Sequence, residues 1–417
     1  MRLPLLVWAV SRSALLLCVL GVLTLRGPDV TTDVSVIYQG WADVLRGGTF
    51  PVDDVTWQYP PGAALPVLSP LLLPFLTYPV AFFAFACLAD AVVLALLLAA
   101  ARRPAGGRAG AWLWIAGMPL LGPTVYARYD VMVTAVAVAA LLAAARHPRL
   151  AGALVAFGAL LKVWPALLLV GTAPGRQTRA VWGAAAGTAA VLAGLAAVVL
   201  PGGWAFLGAQ RERGIEVESV GALVFHVSRH FGWPGEVRFN YGSMEFLGPH
   251  VQTVATASLL CTVAAFGWLL WWRLRAEHRT PSALADAAFA AVLLFTVTSR
   301  VISPQYLVWL VGLAAVCLAL RSRGQLVPAW LVLAATGVTL LEFPVFFDAV
   351  VSSEPLGLLL LFARNGLLVA AALLSCAGLW RTTAAAPHGA ARPEGAPDGH
   401  PEPGPGPGAG LRAGSPR

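Results

Sequence analysis

Ten long stretches of this chain are almost purely apolar: 4–25, 78–101, 111–126, 130–145, 178–200, 251–273, 283–299, 304–320, 326–344 and 356–380. About 20 such residues in helical form cross the hydrocarbon core of a bilayer. Only 12% of the chain is charged and 58% is hydrophobic, against about 25% charged in soluble domains. Too little polar surface remains to cover a water-soluble body. Lipid must be the solvent, and the fold class follows: an all-α polytopic membrane protein. The net charge of +8 does not point to nucleic acid, because the basic residues form short clusters between apolar runs rather than a continuous basic face. Cys18, Cys87, Cys261, Cys317 and Cys376 all lie inside apolar runs without CxxC spacing, so neither a disulfide framework nor a zinc site is expected. The first run, broken only by Arg12, is longer than a signal-peptide core and lacks a small-residue cleavage site. It reads as a retained first span.

Charge orders the spans. Arg102, Arg103 and Arg108 share one short loop; Arg146 and Arg149 share another, as do Arg176 and Arg179. Arg273, Arg275 and Arg279 form a fourth cluster, and Arg321 with Arg323 a fifth. Such clusters mark the cytoplasmic side. The segment 26–58 carries Asp29, Asp33, Asp43, Asp53 and Asp54 against Arg26 and Arg46 and reads as outside. Keeping every cluster inside has two consequences. Segment 59–77, with Pro60, Pro61, Pro66, Pro70 and Pro74, is a poor span and becomes a short outer-face helix. Segment 150–173, interrupted at Lys162 and Pro165, enters and returns as a broken hairpin. Irregular backbone at that depth is tolerated only where protein or a wet cavity surrounds it. The reading is about 12 transmembrane helices including the hairpin, in one domain over 1–380. Both termini are then cytoplasmic, and residues 381–417, rich in Pro, Gly and Ala, are predicted to be a disordered cytoplasmic tail.

Candidate chemistry gathers on the outer side. Val34, Ile37, Tyr38, Trp41 and Leu45 follow helical spacing until Gly47-Gly48. They predict an amphipathic helix on the outer membrane surface with Asp33 in its first turn, where an acid also complements the helix dipole. Lys162 is the only lysine in the protein. A lysine inside an apolar segment is costly unless paired or hydrated; it either snorkels from a helix end or meets an anionic headgroup. Arg211, Arg213, Glu216, Glu218 and Ser219 occupy the second long outer loop, 201–250, and Arg300 lies at the outer end of its span. Arg364 and Asn365 interrupt the last span, where they satisfy one another or nearby carbonyls. GxxxxGK[ST] is absent, so an enzyme of this kind must use an already activated substrate. No HExxH zinc pattern occurs.

Five motifs in order resemble glycosyltransferase family 87, over about residues 1–380. Tyr59-Pro60-Pro61-Gly62 follows the acidic outer loop, and Arg128-Tyr129-Asp130 opens a span. Ala151-Gly152-Ala153 leads to Lys162-Val163-Trp164-Pro165. Arg213-Gly214-Ile215 precedes Glu218-Ser219, and Ser303-Pro304-Gln305-Tyr306-Leu307 follows. The resemblance implies a GT-C-like helical bundle with outer-face amphipathic helices. It implies transfer of a sugar, mannose first among them, from a polyprenyl-phosphate donor to a cell-envelope lipid or glycan acceptor. Transfer would occur with inversion, on the outer face of the plasma membrane. The family's first-loop aspartate, its general base, maps onto Asp33. Lys162, Arg211, Arg213 and Arg300 become candidates for holding the donor phosphate. Tyr38, Tyr59, Arg128, Asp130, Glu218, Gln305 and Tyr306 become candidates for binding substrate. The expected partners are the donor, the acceptor and membrane lipids, with no nucleic acid. No cofactor is expected; Asp33-Val34-Ser35 replaces the two-acid DxD form of some GT-C relatives, and a divalent metal is left open. The rival reading is a multi-span lipid or glycan transporter or flippase, which also breaks helices at its site. A polysaccharide polymerase or ligase and a non-catalytic membrane subunit are further alternatives.

Overall fold

The structure, a computed structural model, describes residues 2–208, 213–277, 280 and 282–384. Nearly all of the predicted tail, and Arg211 and Arg279 with it, lie outside those residues. Among the described residues six helices have the length and apolarity to cross a membrane. The first is α1 (Arg2–Val19). A π-helical turn at Asp33–Tyr38 then runs into α2 (Gln39–Arg46), and α3 (Ala64–Leu68) lies between 3-10 turns. α4 (Tyr78–Ala101) is a full span; α5 (Ala109–Leu121), α6 (Asp130–Ala143) and α7 (Pro148–Leu161) are shorter. α8 (Arg176–Val199) is again long. After the outer segment come α9 (Ala222–Arg229), α10 (Val251–Arg275), α11 (Ala283–Thr298), α12 (Tyr306–Ala319), α13 (Leu326–Leu340), α14 (Phe347–Val351) and α15 (Pro355–Thr383).

Burial separates the short helices from the long ones. Every residue of α12 from Leu307 to Ala319 is buried, and α12 packs against α5, α6, α11 and α13. A helix covered by protein on all sides is hydrophobic all round and need not match the bilayer in length. The closest contacts use glycine: a Cβ on Gly110 would lie 2.0 Å from the Ala315 carbonyl oxygen, so only glycine lets α5 approach α12 this closely. Arg12, which interrupts the first apolar run, is buried and pairs with Asp90 of α4 at 2.7 Å. Trp8, Trp114 and Tyr126 also donate to the Asp90 carboxylate.

The chain is not all helix. Residues 215–247 hold a three-stranded antiparallel sheet, β1 (Ile215–Glu216), β2 (Glu236–Asn240) and β3 (Ser243–Leu247), in the order β1-β3-β2. This corrects the all-α expectation. Asn240 pairs with Ser243, leaving a two-residue turn in which Tyr241 and Gly242 both have positive φ. That mirror-image turn matches the right-handed twist of paired strands. His226 of α9 anchors the segment to the α14–α15 corner. Its Nε2 donates to the Val217 carbonyl and its Nδ1 accepts from the Ser353 hydroxyl, the only tautomer that satisfies both.

The predicted hairpin has its break where Lys162 stands. α7 ends at Leu161, Lys162 takes extended backbone, and a 3-10 helix covers Trp164–Gly171. The chain then returns to the end where α7 began, because Arg149 and Arg176 line one hollow there. Segment 59–77 folds into short helical turns rather than a span.

Candidate active site

The π-turn and α2 are held by the face that the spacing predicted. Val34, Tyr38, Trp41 and Leu45 are all buried, but against protein: Tyr38 stacks on Trp41 at 5.4 Å and meets Phe82 and Tyr129. Burial of that face fixes the start of the turn, where Asp33 is part-exposed and pairs with Arg128 at 2.8 Å. Arg128 also donates to the carbonyls of Val30 and Ala127. Its fork therefore ties the acidic loop to the start of α6 and orients the Asp33 carboxylate.

Beside this pair lies a cavity of about 680 Å³. Asp33, Tyr38, Tyr59, Arg128, Lys162, Arg213, Glu218, Arg300, Gln305 and Tyr306 line it. Ten candidates from six separate stretches of sequence therefore line one cavity. Asp130 is not at the cavity surface. It is buried behind Lys162, and its Oδ1 accepts both from the Lys162 ammonium at 2.7 Å and from the Trp309 indole at 2.6 Å. The Lys162 ammonium is also 5.1 Å from the ring centres of Tyr59, Tyr129 and Trp309, and 5.8 Å from that of Tyr306. These are cation–π distances. A carboxylate on one side and four aromatic faces around it offset the cost of burying the charge, while the ammonium still meets the cavity.

Another part of the lining involves the outer sheet. Arg213 bonds Glu245 at 3.0 Å and Ser243 at 2.7 Å, and its carbonyl accepts from Arg300 at 3.1 Å. Glu216 accepts from the backbone N–H of Ile302 and the Ser303 hydroxyl, stapling β1 to the segment before α12. Burial pushes the Glu216 carboxyl up to about 7, against the pull of Arg213 and of those two donors. The Glu218 carbonyl accepts from Arg364 and Asn365. These two residues of the last span thus find a common carbonyl, and Arg364 is further paired with Glu342. The Glu218 carboxyl is buried, and its Oε1 has no hydrogen-bond partner. Burial, then Glu342 and Glu216 nearby, raise it well above the ordinary carboxylate range, which favours its protonated, donating form.

Sequence reasoning missed several of these residues. Glu342 and Trp309 sit inside predicted spans, and only the rarity of an intramembrane acid could have flagged the first. Asp54 is structural, accepting from Trp41 at 2.7 Å and from Thr56. Among the described residues no three His, Cys, Asp or Glu side chains group as metal ligands.

The arrangement can hold an anionic substrate between fixed cations, with a carboxylate at one edge and hydrogen-bonding and aromatic groups for a polyol between them. No curated protein matches the chain. The model of glycosyltransferase family 87 matches residues 57–304, more than half of the sequence; Tyr59, Arg128, Lys162, Arg213, Glu218 and Arg300 fall inside the match, and Asp33 and Tyr306 outside it. With most of the cavity wall inside a match of that extent, the chain belongs to glycosyltransferase family 87 and is a multi-pass membrane glycosyltransferase.

Proposed function

We propose that the enzyme moves a sugar, mannose first among the choices, from a polyprenyl-phosphate donor to a lipid or glycan acceptor of the cell envelope. The reaction takes place on the outer face of the plasma membrane, in a bundle of about twelve crossings with both termini cytoplasmic. One observation carries this reading: Asp33 and the cations Lys162, Arg213 and Arg300 line the same cavity.

Inverting transfer makes one bond and breaks one. The acceptor hydroxyl oxygen attacks the anomeric carbon from the face opposite the phosphate. The carbon–oxygen bond to phosphate breaks, and its electron pair leaves with the polyprenyl phosphate. Asp33 takes the hydroxyl proton as general base, oriented by Arg128. The leaving phosphate gains negative charge as the bond breaks, and fixed cations stabilise that change. Lys162, Arg213 and Arg300 supply them, with Arg211 a further candidate. Tyr38, Tyr59, Gln305, Tyr306 and Glu218 contact the sugar and acceptor, while Asp130 acts by holding Lys162. No step requires a cofactor.

The test is incubation of purified protein with radiolabelled polyprenyl-phosphate mannose and a cell-envelope lipid extract. Label is expected in a new glycolipid or glycan. Absence of transfer from every polyprenyl-phosphate sugar tried, with the protein folded and the extract competent for a control transferase, would overturn the donor assignment.

A further inference from the structure

Helices α7 and α8 lie side by side and run in the same direction. Their contact is tight: a Cβ on Gly152 would lie 2.1 Å from the Val181 carbonyl oxygen. At their shared starting end, a hollow of about 420 Å³ is lined by Arg149, Arg176, Arg179, Ala180, Gly183 and Ala184. It lies at the other end of α7 from Lys162, some 20 Å away at 1.5 Å per residue. Among the described residues none of these three guanidinium groups has an ion pair, whereas Arg12, Arg128, Arg213 and Arg364 all do. Three like charges facing one hollow repel one another unless an anion comes between them.

The surface leading from the hollow is apolar. Ala180, Gly183, Ala184, Gly187, Val191, Leu195 and Val198 follow one face of α8. Added Cβ atoms at Gly183 and Gly187 would meet nothing within 4 Å, so the face is a shallow furrow near the arginines. Farther on, Val191 is 70%, Leu195 57% and Val198 81% exposed. The whole feature is cationic at one end and apolar for the remaining length of a bilayer-spanning helix. A free phosphate would match only the first part; a phospholipid matches both.

We propose that this hollow binds the headgroup of an anionic phospholipid, with the acyl chains lying along the Ala180–Val198 face of α8. Basic pockets between helices commonly hold such headgroups. The bound lipid bridges α8 to α7, the helix that carries Lys162 at its far end. The proposal is independent of the donor, acceptor and mechanism proposed above.

The full-length protein would be equilibrated with vesicles of phosphatidylglycerol or phosphatidylcholine, purified in mild detergent and weighed by native mass spectrometry. Wild type is expected to retain phosphatidylglycerol in preference to phosphatidylcholine. The variant Arg149→Gln/Arg176→Gln/Arg179→Gln is expected to lose that preference by on the order of a hundredfold, taking about a fivefold factor per arginine. The variant Arg2→Gln/Arg108→Gln/Arg323→Gln loses the same charge elsewhere and is expected to keep it. Equal retention of both lipids by wild type, equal loss in both variants, or retention by the first variant would each overturn the proposal. So would displacement of the lipid by millimolar inorganic phosphate, since the tails would then contribute nothing.

Discussion

Two buried acid–base pairs in this bundle are assembled from the same parts. In the first, Asp90 receives Arg12, Trp8, Trp114 and Tyr126, and Arg12 donates onward to the carbonyls of Trp114 and Ile115. In the second, Asp130 receives Lys162 and Trp309 on one oxygen, and its other oxygen has no hydrogen-bond partner. The first pair is sealed from every side and its fork is spent. The second borders the cavity, and its cation is a point charge with protons to spare. The lesson is one of residual capacity: a saturated pair can only brace the bundle, whereas an unsaturated pair can still bind something. Arg128–Asp33, also open to the cavity, belongs with the second kind.

The largest effect is expected at the open pair that bears the proposed base. Asp33→Asn keeps size and can still start a helix but takes no proton as a carboxylate does. Sugar transfer should fall by about 10²–10⁴-fold, with donor binding and melting temperature little changed. Asp43→Asn, on the exposed face of α2, and Asp53→Asn, in an exposed turn, should cost far less. Wild-type turnover by the Asp33 variant would move the base elsewhere.

The sealed pair should respond in the opposite way. Asp90→Asn leaves Arg12 charged and buried, a loss of about 3–5 kcal/mol for a broken buried pair. Less folded protein should survive detergent extraction and heating, while the protein that does survive should turn over at the normal rate. The double replacement Arg12→Met/Asp90→Leu should recover only part of the stability, because it removes the stranded charge but leaves Trp114 and Tyr126 without their acceptor. If Asp90→Asn is as stable as wild type but inactive, the division between the two kinds of pair fails.

Lys162→Met tests the open pair through donor binding, read per folded protein because the change also leaves Asp130 buried without its cation. Loss of a hydrogen bond to a charged group is worth about 1.5–3 kcal/mol, so donor affinity should fall by roughly 10–150-fold. Lys162→Arg should restore part of it, since the charge returns with a different geometry. Isothermal titration with a non-transferable polyprenyl-phosphate sugar separates the cases. Unaltered affinity in the Met variant would make Lys162 another strut.

The last effect, on stability alone, concerns pH. The Glu216 carboxyl, pushed up by burial to about 7 from 4.5, keeps its proton when folded under conditions where the unfolded chain has lost it. Stability from this group is therefore full below about 4.5, falls as pH rises towards 7, and levels off above. Glu216→Gln should remove that slope, with its amide still able to serve Ile302 and Ser303. Thermal unfolding of both proteins between pH 4.5 and 8 measures the difference; parallel curves would contradict the assignment.

The bundle was legible because lipid imposes its rule residue by residue. The predicted span 78–101 coincides with α4, Tyr78–Ala101. The break beside Lys162 and the buried face from Val34 to Leu45 follow from local spacing alone. Partnerships were not legible, since Asp130 meets residues 32 and 179 positions away and nothing local specifies them. Asp90 escaped notice because one acid barely perturbs the hydropathy of a 24-residue helix. The small sheet escaped because its strands have two to five residues, too few for alternation to show against apolar surroundings. Of the candidate site, ten residues named from sequence line the cavity, but the aromatic enclosure was not legible, because it needs Trp309 from a distant helix.

That enclosure gives the enzyme a built-in reporter. Lys162 is the only primary amine on any side chain of the protein, and it is 8% exposed. An acylating reagent small enough to enter the cavity therefore has a single internal address, distinguishable by peptide mapping from the amino terminus. Its rate of modification counts how often the ammonium is released from Asp130 and the surrounding rings, and an occupied cavity slows the clock.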